Sequence, residues 1–147
     1  MSGWWPERKP LHDASRPVSR SVARWTLAAI LVTAGIGHLT FARTAFRAQV
    51  PRWMPGEADS IVLLSGVVEM ALGTSLGFVR SNRIGWIVAS FFVAVFPGNV
   101  SQLVNHVDAF GLNSDTRRAA RLLFQPLLVA WAIWSTRPER DALLTCA

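Results

Sequence analysis

Cysteine is almost absent from this sequence. Cys146 is the only one among 147 residues. A single cysteine can form neither an intramolecular disulfide nor a Cys-x-x-Cys redox pair. The sequence therefore excludes a disulfide framework, and it excludes thiol chemistry inside a folded domain.

Charged residues are also scarce. They make up 16% of the chain, whereas hydrophobic residues make up 51%. Ordinary soluble domains contain roughly 25% charged residues. The charges here are grouped between apolar runs, which is typical of membrane proteins. This composition argues against a soluble globular protein, and the length fits a single domain.

Lysine occurs only once, as Lys9, so arginine supplies most of the net charge of +6. Basic proteins often bind nucleic acid, but this chain has no nucleic-acid motif and no basic face with interleaved aromatic residues. Its arginines flank apolar segments instead, where they set membrane topology. We therefore expect the partner to be a lipid bilayer and expect no nucleic-acid partner.

Four apolar segments are long enough to approach the roughly 20 residues that cross a bilayer. They cover residues 22–41, 60–79, 84–107 and 116–134. The fold class that follows is all-α, a membrane-embedded antiparallel four-helix bundle. We assign it to residues 21–137, between a basic, mostly disordered arm at 1–20 and a short tail at 138–147. Pro97 and Pro126 lie within the third and fourth segments and predict helix kinks.

Basic residues fall unequally on the two sides of this bundle. If both termini are cytoplasmic, nine lie on the cytoplasmic side and six on the other. The positive-inside rule therefore favours cytoplasmic N- and C-termini. A cleaved signal peptide is a competing interpretation of the arm and first segment, although His38 interrupts that apolar run.

One carboxylate lies in the middle of the second segment. An ionisable group at that depth costs at least about 2.5 kcal/mol, which makes Glu69 a candidate functional residue. With a helix rise of about 1.5 Å per residue, Asn99 and Gln125 fall at the same depth as Glu69, near the midplane. His38 and Gln102 lie closer to the outer surface. These residues predict a polar pocket that opens outward, with a mouth formed by Arg47, Arg52, His106 and Arg121.

Each of these residues also has a structural interpretation. Asn99 and Gln125 stand near prolines and can satisfy backbone groups that the prolines release. Protonated Glu69 can bridge two helices, and a lone histidine such as His38 is more often hydrogen-bonded than a ligand. The loop at 42–59 has apolar residues at helical spacing, which fits an interfacial amphipathic helix or a lid over the pocket.

Several short motifs resemble the DoxX-like family of small bacterial membrane proteins. They follow the family's order and spacing over about residues 25–135. They are Gly35-Ile36-Gly37-His38-Leu39, Val50-Pro51 with Met54-Pro55, Ser65-Gly66-Val67-Val68-Glu69, and Val95-Phe96-Pro97-Gly98-Asn99. The family usually has phenylalanine where this chain has Leu39, and alanine is commoner than Gly98 before the asparagine.

This resemblance implies a four-helix bundle in the bacterial cytoplasmic (inner) membrane, with His38, Glu69, Pro97 and Asn99 at shared positions. Some relatives are the small subunit of a thiosulfate:quinone oxidoreductase, and others are linked to thiol and oxidative-stress systems. A redox-associated subunit that binds a quinone or similar small molecule around Glu69 is the first hypothesis. Family likeness alone does not transfer an activity, and whether the chain is an enzyme stays open.

The second hypothesis is a non-enzymatic bundle that binds or scaffolds a partner protein subunit, alone or as a homo-oligomer. A small-molecule permeation path ranks below it, because transporters usually contain internal repeats and more helices. Haem ligation by His38 and His106 is the less favoured cofactor hypothesis. We predict no metal site, since His38 and Glu69 alone supply too few ligands.

Overall fold

The computed structural model describes residues 16–109 and 111–137, and every regular element in these ranges is a helix. The helices are α1 (Arg16–Leu39), α2 (Arg43–Arg47), α3 (Ala58–Phe78), α4 (Asn82–Val104) and α5 (Asp115–Thr136). Most of the predicted N-terminal arm and all of the predicted tail at 138–147 lie outside the described residues. The fold is all-helical over the described part.

Three of these helices are long and apolar enough to cross a membrane. They are α1, α3 and α4, with spans of 22, 21 and 23 residues and mean hydropathies of 1.4, 1.8 and 1.7. Helix α5 has 22 residues, but arginines at positions 117, 118 and 121 lower the hydropathy of its first two turns. The length and composition of α1, α3 and α4 are those of a multi-pass membrane protein.

Helices α1 and α3 pack antiparallel along a seam of small residues. A Cβ atom added at Gly35 would lie only 2.6 Å from the carbonyl oxygen of Gly66, and one added at Gly73 would lie 2.8 Å from that of Ala28. Small residues at such a seam let helix backbones approach closely in lipid. Gly37 is not part of this seam, because the atoms near it belong to the following turn of its own chain, at 3.5 Å or more.

Helix α5 packs antiparallel on α4 and also contacts α1. A Cβ atom at Gly85 would lie 2.8 Å from the carbonyl oxygen of Ala132, which shows how closely α4 and α5 approach. The indole Nε1 of Trp131 donates to the carbonyl of Ala23 in α1 at 3.1 Å. The buried core joins α1, α3, α4 and α5 through Leu27, Ala28, Leu31, Leu76, Val88, Ala89, Phe92 and Ala132.

The antiparallel pairs bring corresponding helix ends together. The last turns of α1 and α4 and the first turns of α3 and α5 lie at one end, which we call the His38 end. The first turns of α1 and α4 and the last turns of α3 and α5 lie at the other, which we call the Arg24 end. The long connections, between α1 and α3 and between α4 and α5, are both at the His38 end.

Helix α4 ends at Val104, three residues before the predicted boundary, because the chain turns sharply there. His106 has a φ of 51°. The amide of Val107 donates to the carbonyl of Gln102 and the amide of His106 donates to that of Leu103. This is the Schellman arrangement, in which glycine is the usual residue at the left-handed position.

Substitutions of His106 test how much backbone strain at this helix end lowers the stability of the protein. We expect His106→Gly to be more stable than His106→Ala by about 1 kcal/mol, because a non-glycine residue pays that cost in the left-handed region. Both variants lack the imidazole that lies 2.9 Å from an Asp115 carboxylate oxygen, so the comparison isolates backbone strain. Thermal unfolding of both in one detergent measures the difference. Equal stabilities would show that the turn relaxes.

Candidate functional site

A cavity of about 330 Å³ lies at the His38 end. Side chains of α1, α3, α4 and α5 line it, together with residues of the connection between α1 and α3. Its volume is near the lower limit for small-molecule pockets, which span roughly 300–1,000 Å³. Most of the lining is apolar, with a few polar groups, as is usual for a ligand-binding pocket.

Four of the five residues predicted for a pocket line this cavity. They are His38, Glu69, Asn99 and Gln125, and Arg121 of the predicted mouth joins them. Gln102, Arg47, Arg52 and His106 do not line it. The structure therefore places one polar group or more from each of α1, α3, α4 and α5 around a common space.

His38 is held in one orientation by α3. Its Nδ1 lies 2.7 Å from the hydroxyl oxygen of Ser65 and 3.3 Å from the carbonyl oxygen of Val62. The Ser65 hydroxyl itself donates to that carbonyl at 2.9 Å. Because a carbonyl only accepts, the tautomer with a proton on Nδ1 is the one that can donate to both Val62 and Ser65. The Phe46 ring packs on the imidazole with centroids 3.4 Å apart.

Glu69 faces the other imidazole nitrogen. Its Oε2 lies 3.6 Å from His38 Nε2, and the residue is only 9% exposed. This oxygen is buried and accepts no hydrogen bond from the described part of the chain. In the tautomer with a proton on Nδ1, a neutral His38 presents a lone pair from Nε2 toward the carboxyl group. The pair can therefore hold one further proton, on Glu69 in its neutral form or on His38 in its ionic form.

Asn99 and Gln125 join α4 to α5 at the cavity wall. Asn99 Nδ2 donates to Gln125 Oε1 at 2.9 Å, and Gln125 Nε2 donates to the carbonyl of Phe92 at 2.5 Å. Phe92 lies in the helical turn that precedes Pro97, where the proline removes one backbone donor. Helices α4 and α5 continue through Pro97 and Pro126. The amide pair thus bonds to the backbone of α4 and also lines the cavity, while the carbonyl that Pro97 leaves without its helical donor is that of Val93.

Gln102 lies behind the cavity wall. It is 1% exposed, and its Nε2 donates to the carbonyls of Val107 and Ala109 at 3.4 and 3.5 Å. Its Oε1 accepts from Arg121 Nη1 at 3.3 Å. Gln102 therefore ties the chain after α4 to the helix end and helps to position the Arg121 guanidinium at the cavity.

Two of the three arginines predicted for the mouth, Arg47 and Arg52, lie away from the cavity. Arg47 Nε lies 3.6 Å from a carboxylate oxygen of Asp59, which also forms a two-pronged ion pair with Arg43. That hydrogen-bonded carboxylate raises the pKa of the Arg43 guanidinium. Arg52 is exposed, away from the lining. The Arg43–Asp59 pair instead anchors α2 to the first turn of α3.

The connection between α1 and α3 covers the cavity. It contributes Phe46, Gln49, Val50, Pro51 and Met54 to the lining. Only Phe46 of these belongs to α2, so the helical spacing seen in the sequence does not continue through Pro51. A lid over the pocket, one of the two interpretations of this segment, is expected to make contacts of this kind.

Gln49 is a cavity residue that the sequence did not single out. It is 8% exposed, and its Nε2 has no hydrogen-bond acceptor among the described residues. Its sole sequence signal is an uncharged amide among apolar and basic loop residues. The cavity thus contains two buried polar atoms without partners in the described chain, a donor on Gln49 and a carboxyl oxygen on Glu69.

The cavity also adjoins the outer surface of the helices. Ile30 and Phe124 line it, yet their exposed fractions are 46% and 62%. In a membrane, such outward-facing apolar side chains contact lipid. The wall between the cavity and the surrounding hydrocarbon is therefore one side chain thick at these positions.

A family model described as a domain of unknown function, DUF8561, matches residues 27–136. The chain belongs to the DUF8561 family. The match includes every residue assigned to the cavity and begins after Arg24. Comparisons with curated proteins and with solved structures found no match.

Metal-ligating side chains in this DUF8561 domain are sparse near the cavity. His38 and Glu69 are two possible ligands, and no cluster of three or more His, Cys, Asp or Glu side chains occurs within residues 16–109 and 111–137. The polar groups that face the cavity are better suited to hydrogen bonding and proton exchange than to metal coordination.

Proposed function

We propose that this protein binds a quinone or a similar small molecule in the cavity around Glu69, as a redox-associated membrane subunit. The observation that carries the proposal is that two buried atoms of one mostly apolar cavity, Gln49 Nε2 and Glu69 Oε2, make no hydrogen bond within the described chain. A buried polar atom without a partner costs about 1–3 kcal/mol. A ligand that satisfies both atoms recovers that cost on binding.

The chemistry of the lining defines the ligand. The Gln49 amide requires a hydrogen-bond acceptor such as a carbonyl oxygen. The Glu69 and His38 pair can donate a proton to a ligand oxygen or accept one from a hydroxyl group. The aromatic rings of Phe46 and Phe92 and the surrounding aliphatic side chains favour a flat, apolar body. A quinone carbonyl and the hydroxyl of its reduced form meet these requirements.

In this role Glu69 exchanges the proton that accompanies reduction or oxidation of the ligand, and His38 orients the ligand. The electrons would come from a partner protein subunit. DoxX-like relatives supply the precedent for such a subunit by resemblance. This part of the proposal therefore depends on assembly as well as on the cavity.

We further propose that α1, α3, α4 and α5 form an antiparallel four-helix bundle in the bacterial inner membrane, with α5 as the fourth crossing. The packing of α5 on both α4 and α1 supports this arrangement. The count of basic residues in the sequence, nine against six, supports cytoplasmic termini.

Native mass spectrometry of the full chain, released from membranes in a mild detergent, tests the ligand. We expect a retained small molecule on the unmodified protein and at least about tenfold less on Glu69→Gln, because hydrogen bonds to charged groups contribute about 1.5–3 kcal/mol. Thr74→Val is the matched control on α3, since the Thr74 hydroxyl donates only to its own helix, at Met70.

The outcomes separate the two hypotheses. A quinone that is lost in Glu69→Gln and retained in Thr74→Val supports the redox subunit. An unmodified protein that carries bulk lipid alone contradicts it. A second protein released in place of a small molecule favours the partner-binding bundle.

A further inference from the structure

Arg24 has a buried side chain whose guanidinium group has no partner in the described chain. It is 6% exposed and precedes Leu27, Ala28 and Leu31 by three, four and seven residues, on the core-facing side of α1. In the described ranges, no hydrogen bond or ion pair joins its guanidinium to another group. Buried charges in proteins are normally paired, since an isolated one is expensive. The Arg24 guanidinium is therefore free to bind an anion that approaches this end of the helices.

Neighbouring basic residues add to the positive charge around Arg24. The guanidinium of Arg80, after α3, repels that of Arg24 electrostatically. Arg20 Nη1 lies 3.5 Å from the backbone oxygen of Arg137, so the start of α1 and the end of α5 meet. Arg83 lies in the first turn of α4, at the same end of the helices. The Arg24 end thus combines basic residues from α1, α4 and α5 and the loop after α3.

The described chain supplies no carboxylate at this end. Its five acidic residues are Glu57, Asp59, Glu69, Asp108 and Asp115, which lie at the His38 end or in the cavity. Over residues 16–109 and 111–137, the acidic residues are therefore completely separated from the basic residues of the Arg24 end.

The acidic residues in the first turns of the helices are also found at the His38 end and not at the Arg24 end. At the His38 end, α3 and α5 each have an aspartate in the first turn, Asp59 and Asp115. At the Arg24 end, the first turns of α1 and α4 contain no acidic residue. Helix N-termini carry partial positive charge and favour anions. Two helix N-termini and five arginines therefore lie at the end where the described chain provides no counter-charge.

We propose that the Arg24 end binds the phosphate group of an anionic phospholipid, with Arg24 as the buried contact and Arg20 and Arg80 beside it. Guanidinium groups bind phosphate oxygens through paired hydrogen bonds. A lipid fits better than free phosphate because the site lies at one end of apolar membrane-length helices. Basic pockets between membrane helices bind lipid headgroups elsewhere by this same chemistry.

An apolar groove adjoins the same end. It has a volume of about 900 Å³, follows α4 and α5, and includes Val93, Phe96, Trp134 and Arg137 in its lining. Because Arg137 terminates α5 next to Arg20, the groove leads from the basic cluster toward the middle of the helices. An acyl chain of the same lipid occupies this groove, and its phosphate stays with the arginines.

Lipid titration by native mass spectrometry of the full chain in a neutral detergent tests the proposal. The probes are phosphatidylglycerol and phosphatidylcholine with identical oleoyl chains. We expect the unmodified protein to bind phosphatidylglycerol about tenfold or more tightly, and Arg24→Gln to lose most of this preference. Arg52→Gln removes an exposed arginine at the His38 end and should match the unmodified protein.

Three results would overturn the proposal. They are equal binding of both lipids by the unmodified protein, an unchanged preference in Arg24→Gln, and displacement of phosphatidylglycerol by millimolar inorganic phosphate, which would indicate a free-anion site. If Arg24→Gln does not fold, Arg20→Gln and the preference of the unmodified protein decide the matter. Glu69→Gln should leave the lipid preference intact, so this site and the cavity ligand are tested separately.

Discussion

Gly35→Ala is expected to destabilise the protein by about 1–3 kcal/mol, the usual cost of overpacking a tight contact. The added methyl group would lie 2.6 Å from the carbonyl oxygen of Gly66 and 2.7 Å from the side chain of Met70. Part of this obstacle is backbone, which cannot rotate away as a side chain can. The helices α1 and α3 must therefore separate, which also opens the contact between His38 and Glu69. Thermal unfolding in a fixed detergent measures the loss.

Gly37→Ala is the matched control two residues later on α1. Its methyl group would find only ordinary contacts, the nearest at 3.5 Å from the Phe41 ring. Alanine is also the better helix former by about 1 kcal/mol. We therefore expect Gly37→Ala to be neutral or slightly stabilising. If both variants unfolded at the same temperature, the α1–α3 seam would not limit stability.

Gln125→Leu is expected to cost about 2 kcal/mol, because it removes a buried link between α4 and α5. Asn99 Nδ2 loses its acceptor at 2.9 Å, and the Phe92 carbonyl loses its side-chain donor. Asn99→Leu should cost less, since the Gln125 bond to Phe92 survives. The double variant should be less destabilised than the sum of the two, by about 0.5 kcal/mol or more, because the shared bond is lost only once.

Denaturant unfolding of the four proteins in one detergent completes this double-mutant cycle. Asn105→Leu is the control, because the Asn105 amide is exposed and bonds only to Ser101 in its own helix. Its effect should stay within about 0.5 kcal/mol. Strict additivity for Asn99 and Gln125 would show that the two amides do not act together.

Hydrophobic periodicity recovered the long helices well but their ends less well. The predicted second segment at 60–79 differs from α3 (Ala58–Phe78) by two residues at its start and one at its end. Helix α1 begins at Arg16, six residues before the predicted start at 22. A hydropathy pattern finds where a helix enters the apolar region. It does not detect polar turns that extend the same helix beyond that region.

Depth along each helix was easier to predict than direction around it. Equal depths of Glu69, Asn99 and Gln125 followed from helix rise alone, and all three line the cavity. Gln102 was predicted to join Asn99 in the pocket, yet three residues of helix rotate it by about 60° from Asn99, enough to turn it toward Val107 and Ala109. Gln49 lies in an irregular segment, where no period indicates which side chains face inward.

Pairing between distant charges could not be predicted from spacing. Arg118 is buried against Asp108 and Asp115, ten and three residues away in sequence. Arg43 pairs with Asp59 across sixteen residues. Three of the six arginines on this side, Arg43, Arg47 and Arg118, pair with carboxylates that the fold brings to them. The basic cluster that the described carboxylates do not balance lies at the opposite end.

The thin wall at Ile30 and Phe124 determines which concentration governs occupancy of the cavity. An apolar molecule that reaches the site through the bilayer is supplied from the hydrocarbon phase, where its mole fraction far exceeds that in water. Binding then depends on molecules per lipid, and each added micelle dilutes the supply. Dissociation constants measured in detergent would therefore rise with detergent concentration, and comparison between preparations requires a fixed ratio of ligand to amphiphile.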